Sequence, residues 1–186
     1  MHIVKILSFI TALSFLFFSC IKDDKDESVI NYINVGNQVP SFAVEDTTGN
    51  TFSSKQFLDK HSLLVFFGTY CPDCKQVLPV IEEVWKEMKK DDKFQLVTIS
   101  REETAETVSE YWKENQFTMP FYLDPTRGNI FSLFANNTIP RIYIIGPNEN
   151  VAWMAVETLD ISAKELIDII RGGKIKIARI INLNIY

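Results

Sequence analysis

The run Ser62-Leu-Leu-Val-Phe-Phe-Gly-Thr-Tyr-Cys-Pro-Asp-Cys-Lys75 changes character in its middle, and that change sets the architecture. Residues 63–67 are apolar without interruption and are bounded by Gly68. Such a run marks a strand buried on both faces, because a strand with one wet face would alternate. From Pro72 to Lys90 the period becomes helical: Val77, Ile81, Val84, Trp85 and Met88 share one face, with Lys and Glu on the other. Pro72 suits the first turn of that helix, where its missing N–H costs nothing, whereas Pro79 lies deeper and is expected to kink it. Cys71 and Cys74 therefore stand at the junction of a buried strand and a helix start.

Working outward, residues 94–99 read as the next buried strand, and 104–115 as a helix that opens on acidic residues. Residues 121–123 read as a short extended piece and 126–135 as a further helix. Strands at 141–145 and 151–156 are joined by the turn Gly146-Pro-Asn-Glu-Asn150, and a closing helix at 162–171 stops at Gly172-Gly173. On the other side, Phe42 and Val44 are followed by the turn Thr47-Thr-Gly-Asn50 and by Phe52, a hairpin pattern, with a helical turn at 57–58. His61 reads as a surface residue in a loop. Strands alternating with helices imply an α/β fold, a central mixed sheet flanked by helices with an N-terminal hairpin extension, over residues 35–171. The last segment, 172–186, carries Ile175, Ile177, Ile181 and Ile185 and reads as an added strand.

The start of the chain has a different composition. A short opening with Lys5 precedes the apolar run 6–18, too short for the roughly 20 residues a membrane span requires. That is the pattern of an export signal over residues 1–19. Ser19-Cys20 at its end resembles the lipobox of bacterial lipoproteins, in which the cysteine is acylated, although Phe17 and Phe18 depart from the usual residues. Lys22-Asp-Asp24 is similar to the surface-export tag of Bacteroidetes lipoproteins. Residues 20–34 then read as a lipidated, charged tether, and the chain as held at the cell envelope, periplasmic or surface-exposed. Without residues 1–19 the chain has 18 basic and 24 acidic residues, a net −6, which argues against a nucleic-acid partner.

With Cys20 set aside, two of the three cysteines remain, Cys71 and Cys74. A zinc site needs about four ligands, and these two with His61 do not supply them. Open N–H groups and the dipole at a helix start favour an ionised sulfur, which is the nucleophile of thiol–disulfide exchange. The two-residue spacing lets the second sulfur reach the first. No metal or separate cofactor is expected, only a redox-active Cys71–Cys74 disulfide, and the partners expected are protein thiols and disulfides.

The segment Phe66-Phe-Gly-Thr-Tyr-Cys-Pro-Asp-Cys-Lys75 resembles the active-site stretch of thioredoxin-like proteins. Pro79 matches that family's helix proline, and Thr138-Ile-Pro-Arg-Ile-Tyr-Ile-Ile145 resembles its Ile-Pro segment. The opening Gly36-Asn-Gln-Val-Pro-Ser-Phe42 resembles the membrane-anchored branch related to TlpA and ResA. The resemblance implies that Cys71 is the nucleophile, Cys74 the resolving thiol and Pro140 a cis proline. It also implies that Ile139 binds an extended substrate through its backbone, and that Tyr70, Pro72 and Asp73 surround the site. An upstream membrane electron donor follows from the same resemblance. Two departures stand out: Val65 replaces the buried Asp of thioredoxins, and Val77 the Glu of ResA-like reductases, so the proton acceptor for Cys74 is unassigned. Asp73 is the nearest acid in sequence, and its charge opposes the helix dipole, which argues for a reductase over a strong oxidant. A peroxidase would need Pro and Thr where Leu64 and Gly68 stand, and a non-catalytic binding module would not need the cysteine pair.

Overall fold

The computed structural model describes residues 28–124 and 129–172. In chain order the elements are β1 (Ala43–Glu45), β2 (Thr51–Ser53), β3 (His61–Phe67), α1 (Pro72–Met88), β4 (Phe94–Arg101), α2 (Ala105–Glu114), β5 (Tyr122–Asp124), β6 (Arg141–Ile145), β7 (Val151–Val156) and α3 (Ala163–Ile170). They build one seven-stranded mixed sheet in the order β2-β1-β5-β4-β3-β6-β7. β3, β4 and β5 run parallel, β6 lies antiparallel to β3, and β7 returns antiparallel to β6. The fold is thioredoxin-like, with the β1–β2 hairpin added beyond β5.

β3 sits at the centre because its apolar run supplies both faces. Leu63, Val65 and Phe67 pack with residues of all three helices, among them Val77, Ile81, Trp112, Leu166 and Ile170. Leu64 and Phe66 face the opposite layer, where Phe42, Phe52, Phe57, Phe131, Phe134 and Tyr143 gather. Phe66 packs its ring against three others of that layer, with centroids 4.9 Å from Phe134, 5.5 Å from Phe131 and 6.4 Å from Tyr143.

Local chemistry explains the ends of the elements. Thr104 caps α2 by accepting the Thr107 N–H, and Ser162 and Glu165 form a reciprocal capping box on α3. Gly172, at φ +84°, supplies the left-handed residue that stops α3. In the β1–β2 turn the Asp46 carboxylate accepts from the side chains of Asn50 and Thr48 and from both their N–H groups. Those bonds, the Asn50 amide foremost, hold its pKa down to about 2. The turn is thus stabilised above the ordinary carboxylate range and loses that contribution as pH falls through about 2.

α1 continues as one helical element through Pro79, whose missing N–H leaves the carbonyl of the exposed Lys75 without that donor. Two expectations need correction, the helix at 126–135 and the loop at His61. The helix expected at 126–135 is, among the described residues, a 3-10 turn at Phe131–Leu133. The buried Asp124 carboxylate captures the N–H groups of Ile130 and Phe131, and the core takes Phe131 and Phe134, three apart, the 3-10 period. His61 is half-buried at the first position of β3, its N–H bonded to the Lys93 carbonyl, rather than in a loop. The export signal, Cys20 and residues 173–186 lie outside the described residues. The end of the expected tether does not: residues 28–33 are already hydrogen-bonded to 134–136.

Phe66→Ala removes a ring packed against three others of the aromatic layer and is expected to cost about 3–5 kcal/mol in denaturant unfolding. Leu58→Ala, at a side chain 55% exposed, should change stability by less than about 0.5 kcal/mol. Equal effects of the two substitutions would contradict this account of the core.

Candidate active site

β3 ends at Phe67, and the chain must turn within four residues to enter α1. Gly68 is the residue that permits the turn. It is buried, and a Cβ there would lie 2.7 Å from the Tyr70 ring and 3.0 Å from the Ile139 side chain. Tyr70, 61% exposed, therefore lies flat against the backbone beside Ile139. Cys71 is the N-cap of α1, with Pro72 at the first helical position. Its sulfur accepts the Cys74 N–H at 3.2 Å and lies 3.4 Å from the Ile139 carbonyl, to which the thiol donates. The Ile139–Pro140 peptide bond is cis. Pro140 is buried and Ile139 half-buried at the mouth of the site, while Pro72 and Asp73 are exposed on the first turn of α1.

The two cysteines, both free thiols, differ in environment. Cys71 keeps 8% of its surface, whereas Cys74 has none. Cys74 packs in the same apolar cluster as Val65 and Val77, the positions where an acid was sought. Burial pushes the Cys74 thiol far above its usual range, the bond with Cys71 adds to this, and the negative charge of Asp73 adds a little more. Cys74 is therefore a protonated, fully buried thiol behind one that reaches the surface only at its edge.

A buried carboxylate missed by sequence reasoning supports this loop. Phe67 in β3 is level with Ser100 in β4, so Gly68–Tyr70 passes alongside Arg101–Glu103. Glu102 adopts a left-handed φ of +61° and turns the chain there. Glu103, buried, takes the Thr69 N–H at 3.0 and 3.1 Å, the Thr69 hydroxyl, and the Ser100 hydroxyl at 2.6 Å. It ties the approach to Cys71 to the end of β4. The only sequence signal was a doubled acid after a buried strand, and its meaning depends on the parallel register. Glu82, also buried, performs a similar task farther along α1, accepting from Thr118 and Met119. Among the described residues no group of three or more His, Cys, Asp or Glu is arranged to hold a metal ion.

Comparison with known proteins places this geometry. The profile of the AhpC/TSA family matches residues 35–154. The thiol–disulfide oxidoreductase ResA of Bacillus subtilis is 24% identical over 154 residues, 83% of this chain and 82% of that one. Among solved structures, a candidate protein disulfide isomerase from Bacteroides thetaiotaomicron superposes with a TM-score of 0.70 at 24% identity, over 78% of this chain and 91% of that chain. The exposed lipoprotein thioredoxin Etrx1 of Streptococcus pneumoniae has a TM-score of 0.60 at 16% identity, over 72% of this chain and 99% of that chain.

Glu103→Ala leaves two hydroxyls and a backbone N–H without their acceptor and should destabilise the chain by about 1–3 kcal/mol in denaturant unfolding. Glu103→Gln, which keeps an acceptor, should cost less. Wild-type stability in Glu103→Ala would show that Glu103 does not hold this loop.

Proposed function

This chain belongs to the AhpC/TSA family, and from that premise we propose that it is a thiol–disulfide oxidoreductase that reduces disulfides in extracytoplasmic proteins through Cys71 and Cys74. The observation that carries the reading is the inequality of the two sulfurs at one helix start, one at 8% exposure and one with none. Cys71 attacks a substrate disulfide and forms a mixed disulfide, releasing one substrate sulfur as thiolate. Cys74 then attacks the Cys71 sulfur. Its proton passes to the departing substrate thiolate, and the products are a Cys71–Cys74 disulfide and a substrate dithiol. Return to the dithiol form takes two electrons, which a membrane donor upstream would supply. No other cofactor enters the cycle.

The same geometry supports roles for the surrounding residues. An extended substrate segment laid along Ile139 would bring its sulfur toward Cys71, whose own sulfur already lies 3.4 Å from the Ile139 carbonyl. Pro140 shapes that edge, and the exposed Tyr70 forms its apolar border. The reductive direction rests on Asp73, whose negative charge in the first turn of α1 opposes the helix dipole there, the reverse of the stabilisation that makes a strong oxidant. A peroxidase is disfavoured because Leu64 and Gly68 stand where such an active site requires proline and threonine. At the envelope, Cys20 would carry lipid after removal of residues 1–19, and the chain up to residue 34 would lead into the domain at 35–171.

With insulin as the disulfide substrate, Cys74→Ser should accumulate a mixed disulfide and Cys71→Ser should form none. The opposite pattern would reverse the two roles. For the anchor, fatty-acid labelling in cells should mark the wild type and be lost in Cys20→Ala; equal labelling of the two would remove the lipid anchor from the account.

A further inference from the structure

Arg141 directly follows Pro140 and is completely buried. A guanidinium stays charged in a protein and brings five N–H donors, so burying it is costly unless those donors are satisfied. Among the described residues no carboxylate lies within ion-pair distance of it. Its partners are neutral oxygens. Nε donates to the carbonyls of Asn137 (3.2 Å) and Thr138 (3.0 Å), Nη2 donates to the Asn137 carbonyl (2.9 Å), and Nη1 donates to the side-chain oxygen of Asn31. Its head lies 5.8 Å from the Phe131 ring centroid.

What this cation holds is informative. On one side it grips the backbone of Asn137 and Thr138, the residues immediately before Ile139, whose carbonyl faces the Cys71 sulfur. Thr138 is held at a left-handed φ of +70°, a conformation that a β-branched residue does not keep unaided. On the other side it grips Asn31, in the segment that enters the domain. That segment is zipped along the same stretch: Asn31 bridges Ala135, Tyr32 and Ile33 donate to the Phe134 carbonyl, and Asn136 bonds to Ile30 and Ser28. The entering chain and the substrate-facing edge therefore share one clamp.

We propose that Asn31 and Arg141 are positioning residues for the protein substrate, and that the entering segment Ser28–Ile33 is a working part of the site because it fixes the Asn137–Pro140 edge. The inference rests on the disulfide-exchange function proposed above. Loss of the clamp loosens the edge against which an extended polypeptide lies, while the α1 start, with Cys71 as its N-cap and Cys74 buried one turn on, stays in place. Large and small disulfides must then respond differently.

The test compares wild type, Asn31→Ala, Asn31→Asp and Arg141→Lys by two measurements. In hydrogen exchange, Asn31→Ala should speed exchange of the amides at 134–141 and leave those of β3 and α1 unchanged. In turnover, Asn31→Ala should raise KM for a disulfide-bonded peptide by roughly five- to tenfold with kcat within about twofold, and leave reduction of the small aromatic disulfide DTNB unchanged. Asn31→Asp keeps the acceptor and should restore the wild-type KM. Arg141→Lys, which offers one donor head in place of a fork, should behave as Asn31→Ala does. Unchanged exchange at 134–141 would overturn the clamp. Faster exchange with an unchanged peptide KM, or equal losses on peptide and DTNB, would overturn its role toward substrate. Cys71-dependent reduction of DTNB by the wild type tests the proposed function separately, and the exchange measurement reads the clamp whatever that result.

Discussion

The register between three adjacent strands governs everything at the active end of this molecule. β3 and β4 run parallel with Phe67 level with Ser100, and β6 runs antiparallel with Arg141 level with Phe66. The carboxyl ends of two strands and the amino end of a third therefore fall side by side. Cys71 leaves the first, Glu103 the second, and Pro140 leads into the third. Crevices outside the carboxyl ends of strands are where sheets of this class place their chemistry. Here the crevice receives the Cys71 sulfur, the Ile139–Pro140 edge and the buried Glu103 carboxylate that holds the loop at Thr69. A slip of one residue in β3 would exchange its two apolar faces and separate all three.

That placement produces the chemical inequality of the two cysteines. The helix start lies at the sheet's rim, so its first residue keeps some solvent and the residue one turn later is carried into the layer of Val65 and Val77. With no acid at Val65 or Val77 to accept its proton, Cys74 is kept protonated by desolvation in the apolar layer. The replacement of acids by Val65 and Val77 is then consistent with a resolving thiol that gives up its proton only when a substrate thiolate is there to accept it.

Much of the fold was legible because its strands are buried on both faces. β6 and β7 fall on the residues that the apolar runs and the Gly146–Asn150 turn mark, and α3 lies within the closing helix expected at 162–171 before Gly172. The cysteine pair was legible because strand, glycine and proline punctuate it. What stayed hidden depends on contacts between distant segments. Glu103 acquires meaning only when β4 lies beside β3, and Arg141 reads as the polar start of a strand until Asn31 and the Asn137 carbonyl surround it. The region before Phe131 reads as helical, yet the Asp124 carboxylate takes the N–H groups on which a longer helix would depend.

The central claim is that the Cys71–Cys74 couple is built to donate electrons. Its reduction potential, measured by equilibration with glutathione or dithiothreitol buffers and alkylation trapping, tests that claim most directly. The account predicts a two-electron couple nearer to about −270 mV, where thioredoxin lies, than to about −120 mV, where the oxidant DsbA lies, and an upward move on Asp73→His. A wild-type potential at the DsbA end of that range, with no upward move on the substitution, would contradict it.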